Sequence, residues 1–166
     1  LVYIERSWDG TKVASEEKTE DARPVPADGN MTGGTYFLNS NVTKNGRVES
    51  ITGDVDLILG DGYTLDVKGL YVPAGKTLNI YGQSKDSGKI YSHPSGGAAI
   101  GGYSGHDNGN IVIHGGTIVA NGYNNCAGIG SNDGDKTTAP VTIYLGYKGS
   151  ITAQGGENGA GIGGGR

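Results

Sequence analysis

The chain has 166 residues, a formal charge of −4 and 33 glycines, a glycine share near a fifth against a usual value of roughly 7%. That load excludes the composition of an average globular enzyme, and the acidic balance with scattered Lys and Arg excludes a nucleic-acid-binding face. No apolar run approaches the ~18–20 residues needed to span a bilayer, and the lone Cys126 has neither a disulfide partner nor a zinc-type spacing around it.

In chain order, Val2-Tyr3-Ile4 reads as a strand and Trp8-Asp9-Gly10 as a turn. Residues 15–30 are polar and charged and contain Pro24 and Pro26, the composition of an extended connector or a plain linker. Tyr36-Phe37-Leu38, with Val42 and Val48, reads as a first, imperfect copy of a repeat that fills the rest of the chain. Residues 1–35 are therefore expected to form an N-terminal cap strand with a polar connector, and residues 36–166 a repetitive body.

The repeat is explicit further on. Ala98-Ala99-Ile100-Gly101-Gly102 recurs as Ala127-Gly128-Ile129-Gly130-Ser131 and as Ala160-Gly161-Ile162-Gly163-Gly164, with the isoleucines 29 and 33 residues apart. Before the later copies run Ile111-Val112-Ile113-His114-Gly115-Gly116-Thr117-Ile118 and Val141-Thr142-Ile143-Tyr144 with Ser150-Ile151-Thr152-Ala153. More divergent copies lie at Leu57-Ile58-Leu59 and at Leu78-Asn79-Ile80-Tyr81. Most segments alternate at period two and are bounded by Gly, Asn, Asp or Ser, so they are short strands with one buried face. Strands this short cannot bury enough surface singly and must stack on their own copies.

The expected fold is all-β: a right-handed parallel β-helix of about 4–5 coils with three short strands each, the hand following from the rule for parallel crossovers. Inward pairs on the first strand are expected at Leu57/Leu59, Leu78/Ile80, Ile111/Ile113 and Val141/Ile143. The second strand has Leu65/Val67, Ile90/Ser92, Ile118/Ala120 and Ile151/Ala153. The third has Leu70/Val72, Ala98/Ile100, Ala127/Ile129 and Ala160/Ile162. Nothing polar covers the last strand before Arg166, so the body is expected to be truncated at that end within a longer parent, with end-to-end self-association as a consequence.

The Ala-Gly-Ile-Gly blocks at 127–130 and 160–163, the Ile-x-Ile-x-Gly-Gly-Thr-Ile run from Ile111 and the stretch from Asp54 to Ser84 resemble glycine-rich β-helix modules of large bacterial cell-surface and adhesin-like proteins. The resemblance covers residues 36–166. It implies an extracellular, surface-anchored multidomain parent and carries no assigned activity. The same architecture serves polysaccharide lyases, whose catalytic motifs have no residue-by-residue match in this chain.

Function is expected on outward positions. Tyr81, His114 and Tyr144 directly follow the inward Ile80, Ile113 and Ile143, which predicts an exposed aromatic ladder with steps of about 4.8 Å. Such a ladder could stack on a polysaccharide or another host-surface ligand; it could equally be Tyr-rich strand surface. Asp133 and Asp135, in the Asn132-Asp133-Gly134-Asp135 turn, are the candidate metal ligands, for calcium, against the alternative of solvated turn acids. No other cofactor is expected. His93, His106 and His114 fall at unrelated positions, and acids at i and i+2, such as Asp54/Asp56, are routine on strands, so no catalytic set is placed. A non-catalytic ligand-presenting module is therefore expected, with a polysaccharide lyase or hydrolase fragment and a purely structural stalk as the alternatives.

Overall fold

The computed structural model describes residues 1–48, 51–103, 105–135 and 138–166. The N-terminus forms an antiparallel hairpin of β1 (Val2–Trp8) and β2 (Val13–Thr19), followed by the short β3 (Arg23–Pro24). The chain then makes five circuits. The first has β4 (Gly34–Leu38) and β5 (Val42–Lys44), with Val48 bridging to the next circuit at the third position. The second has β6 (Val55–Leu59), β7 (Thr64–Val67) and β8 (Leu70–Tyr71). The third has β9 (Thr77–Gly82), β10 (Lys89–Ser92) and β11 (Ile100–Gly101). The fourth has β12 (Asn110–Ile113), β13 (Thr117–Asn121) and β14 (Ile129–Gly130). The fifth has β15 (Val141–Ile143), β16 (Ser150–Gln154) and β17 (Ile162–Gly163).

Each circuit from the second onward adds one strand to each of three parallel sheets, and the first adds one to two of them, so the fold is all-β with several parallel sheets. The first sheet runs β3-β4-β6-β9-β12-β15, the second β5-β7-β10-β13-β16 and the third β8-β11-β14-β17. Among the described residues no helix is long and apolar enough to cross a membrane.

Register turns the sequence repeat into vertical columns. Tyr36, Leu57, Ile80, Ile113 and Ile143 stack inside the first sheet. Val42, Leu65, Ile90, Ile118 and Ile151 stack inside the second, and Val48, Leu70, Ile100, Ile129 and Ile162 inside the third. All of these except Ile162 belong to one apolar core, and burial of its apolar surface, worth about 25 cal/mol for each Å², is the main stabilising term. The polar Ser92 enters this core with its hydroxyl donating to the Ala99 carbonyl at 2.7 Å.

Two expected pairings shift by two residues. Leu57 lies opposite Ile80 rather than Leu78, which makes Val55/Leu57 the partner of Leu78/Ile80. Leu70 lies opposite Ile100 rather than Ala98. A slip of two keeps every side chain on its own face, so apolar alternation cannot detect it. In β6 the run Leu57-Ile58-Leu59 is buried on both faces and blurs the alternation further.

The glycine that follows the isoleucine in the Ala-x-Ile-Gly blocks is required by close stacking. Gly101 and Gly130 have φ of +132° and +131°, and a Cβ there would come within 2.0 Å of the Gly130 carbonyl oxygen and 2.1 Å of the Gly163 carbonyl oxygen.

The N-terminal 35 residues divide between two roles. Val25, Met31 and β3 close the end of the stack over the first circuit, with the Val25 amide donating to Phe37 O at 2.9 Å. The hairpin does not lie at that end but runs along the stack, touching β9 antiparallel at Ile4 opposite Gly82. The start of the expected connector is thus part of the strand β2. At the other end the core thins, and Ile162 is 44% exposed.

Candidate functional site

The expected ladder exists. Tyr81 and His114 stack with ring centroids 4.4 Å apart and planes 12° from parallel, and His114 and Tyr144 follow at 5.7 Å. It is not exposed, which corrects the sequence expectation: Tyr81 and His114 are 6% and 7% accessible. The register extends the column to Phe37 and Ile58, which lie beside Tyr81 on the outer face, so its lower half is apolar and is covered. The hairpin supplies the cover. Tyr3 packs on Tyr81 at 4.7 Å, and Tyr3, Ile58 and Tyr81 form a second apolar cluster with Leu1, Ala22 and Phe37.

The hairpin is fastened by Arg6. Its guanidinium reaches Asp86, with Nη2 to Oδ2 at 2.7 Å and Nη1 to Oδ1 at 3.4 Å, in a pair whose side chains are 9% and 0% exposed. Nη1 also donates to the His114 carbonyl. Asp86, at φ +51°, receives the Gly116 amide at 3.1 Å. Space for this pair is cleared by glycines: a Cβ on Gly82 or Gly115 would meet Asp86 Oδ1, and one on Gly146 would meet the Arg6 guanidinium. A buried pair of this kind gains little net stability over an apolar contact but is costly to break on one side.

His114 Nδ1 lies 2.6 Å from the Arg6 carbonyl oxygen and 3.2 Å from the Arg6 amide nitrogen, so the ring is held against the Arg6 backbone. Burial lowers the His114 pKa from its ordinary 6.5, against the opposing pull of the hydrogen bond to that backbone and of Glu5 and Asp56, so the ring is held toward neutrality. Burial likewise pushes the Tyr81 hydroxyl well above its usual range, with Asp56 adding to the effect.

The outer face of the second sheet carries no hairpin. One outward column reads Thr43, Asp66, Tyr91, Val119 and Thr152 across successive strands. One residue beyond the inward Val67, Ser92, Ala120 and Ala153 runs a second column, Lys68, His93, Asn121 and Gln154. Tyr91 and His93 rings are 4.4 Å apart, Lys89 Nζ stands 5.6 Å from the Tyr91 ring, and Lys68 Nζ donates to His93 Nε2 at 2.5 Å. Asp66 Oδ1 is 3.7 Å from His93 Nδ1. Where this face meets the third sheet, Asn45, Arg47, Lys68, Ser95 and Tyr103 line a cleft of about 200 Å³. From sequence, His93 is weighed only as a catalytic or metal candidate and is not brought together with Tyr91, Lys68 or the cleft. The available signal was that Tyr91 and His93 flank the inward Ser92, with His93 directly after the end of β10.

The candidate metal ligands face different partners. Asp133 Oδ2 accepts from Asn125 Nδ2 at 3.1 Å, whereas Asp135 Oδ2 accepts from the Asn132 amide. Among the described residues no three His, Cys, Asp or Glu side chains converge as metal ligands. Burial raises the Asp135 pKa, with Asp107 adding to the rise and His106 opposing it. The three histidines remain apart: His114 under the hairpin, His93 on the second sheet, and His106 in a loop beside Tyr71.

Comparison with models of known protein families, with characterised proteins and with solved structures gives no match to this chain.

Proposed function

We propose that the chain is a right-handed parallel β-helix module of a bacterial cell-surface, adhesin-like protein, and that it binds extracellular glycan without cleaving it. The hand follows from the strong bias of parallel crossovers. The glycan reading is supported by the open face of the second sheet, where Lys68, His93, Asn121 and Gln154 offer one polar group per layer beside the half-buried ring of Tyr91. Layers about 4.8 Å apart step at nearly the length of one sugar unit, so an extended polymer lying along the stack meets a hydrogen-bonding group at each step. Aromatic rings supply the flat contact that sugar faces need. In this reading Tyr81 and His114 anchor the hairpin, and neither they nor Tyr144 are ligand contacts.

A glycan array followed by titration of the hits tests the proposal. Tyr91→Ala is expected to lose binding, and Tyr147→Ala, at a side chain 95% exposed on the turn between β15 and β16, to keep it. Absence of any glycan ligand, or equal loss in both variants, would contradict it.

A second reading, polysaccharide cleavage, is favoured by one observation: the raised Asp135 pKa beside Asp107, next to a cleft lined by Tyr71, Pro73, His106 and Asp107. It predicts release of reducing or unsaturated sugar ends that Asp135→Asn abolishes.

A further inference from the structure

Charge is unevenly distributed over this acidic chain. On the hairpin acids and bases are mixed, with Lys18 paired to Glu5 and Glu16, while Arg47, Lys68 and Lys89 lie at the second sheet and its corner, where Asp66 is the one carboxylate on the described strands of that sheet. The corner cleft has Arg47 and Lys68 in its lining and no carboxylate among its described residues. The field of the Lys68 ammonium in a concave site favours an anion over a neutral group.

The two cations differ in availability. Arg47 is built into the wall: its guanidinium donates to the Ala98 carbonyl at 3.1 Å and to the Gly96 carbonyl, and lies 4.2 Å from the Tyr103 ring centroid. Lys68 is half-buried, and its ammonium uses one of three N–H groups on His93 Nε2. That contact fixes the amine at the cleft. Asp66 stands on the Nδ1 side of the imidazole, across the ring from Lys68, so it does not occupy the amine.

We propose that this cleft seats an oxyanion-bearing sugar unit, its carboxylate or sulfate on Lys68 Nζ and its ring hydroxyls against Asn45 and Ser95. The inference rests on the glycan reading above and narrows it to anionic chains. The polymer then runs from the cleft past His93 and Tyr91 along the second sheet.

Three oligosaccharides with one backbone test it by calorimetric titration: a uronate form, its methyl ester, and a sulfated form of the neutral chain. The uronate or the sulfated chain is expected to bind more tightly than the ester, and which of the two does so identifies the anion. Lys68→Met should weaken anion binding about tenfold, the size of one lost charge-assisted hydrogen bond, and bring it to the level of the ester. Lys68→Arg should retain the preference, and Lys85→Met, on a different turn, should leave it unchanged. Equal affinity for all three chains, or a Lys68→Met variant that still prefers the anion, overturns the cleft assignment. If those results come with a Tyr91→Ala loss, the glycan reading stands without it. If no chain binds at all, both fall together.

Discussion

Arg6 and His114, separated by 108 positions in sequence, grip each other in both directions: the His114 ring hydrogen-bonds the Arg6 backbone, and the Arg6 guanidinium donates to the His114 carbonyl. On the hairpin, Tyr3 and Arg6 are the buried side chains, and β2 presents none to the body. The hairpin is therefore an attached flap whose docking depends on a few contacts, and it belongs to the low end of local stability.

Acid should loosen it. The His114 pKa is lower in the folded chain than its ordinary 6.5, so the unfolded or undocked state binds the proton more readily. The contribution of the neutral ring is complete above that ordinary value and erodes as pH falls below it. Hydrogen exchange of the β1 amides, corrected for intrinsic pH dependence, should show weaker protection at pH 5.5 than at pH 7.5, with a smaller change in His114→Gln. Protection that does not change between these pH values would contradict the assignment.

Removing one member of the Arg6–Asp86 pair should release the flap and leave the stack. Asp86→Ala strands a buried guanidinium, at a cost of about 3–5 kcal/mol if the site stays closed. Undocking limits that cost. Amides of β1 should exchange freely while those of Ile118 and Ile129 stay protected, and the pair Arg6→Met/Asp86→Leu should recover much of the protection.

Column position should decide the cost of truncation. Ile129 is fully buried between Ile100 and Ile162, so Ile129→Ala is expected to cost about 2–5 kcal/mol in denaturant unfolding. Ile162→Ala, at the thin end of the same column, should cost less than about 1 kcal/mol.

Glycines with the same sign of φ should separate by what lies above them. Gly62, at φ +86°, has nothing within 4 Å of an added Cβ, so Gly62→Ala should cost about 1–2 kcal/mol from backbone conformation alone. Gly130→Ala adds a collision with the Gly163 carbonyl to a conformation available almost only to glycine, and should cost about 3 kcal/mol or more. Melting of the two variants compares them directly.

The parts legible in the sequence are those where chemistry repeats in one column. Ile100, Ile129 and Ile162 align because an isoleucine followed by glycine recurs with its neighbours, and the structure pairs them as aligned. The two-residue shifts at Leu57 and Leu70 were not legible, since alternation fixes the face of a strand and not its step along the neighbour. The cover over Tyr81 and His114 was hidden for another reason. It depends on Arg6 meeting Asp86 across 80 positions, and an aspartate in a turn looks like any other turn acid. A signal was present in the glycines at 82 and 115, which directly follow Tyr81 and His114. Their missing side chains make room for the ion pair that fastens the hairpin.

Methyl–methyl NOE contacts of Ile129 test the stacking most directly. Adjacent parallel strands sit about 4.8 Å apart, so the Ile129 methyls should show strong cross-peaks to those of both Ile100 and Ile162. If Ile129 shows cross-peaks only to residues near it in sequence and none to Ile100 or Ile162, the columns do not exist and the open face of the second sheet disappears with them.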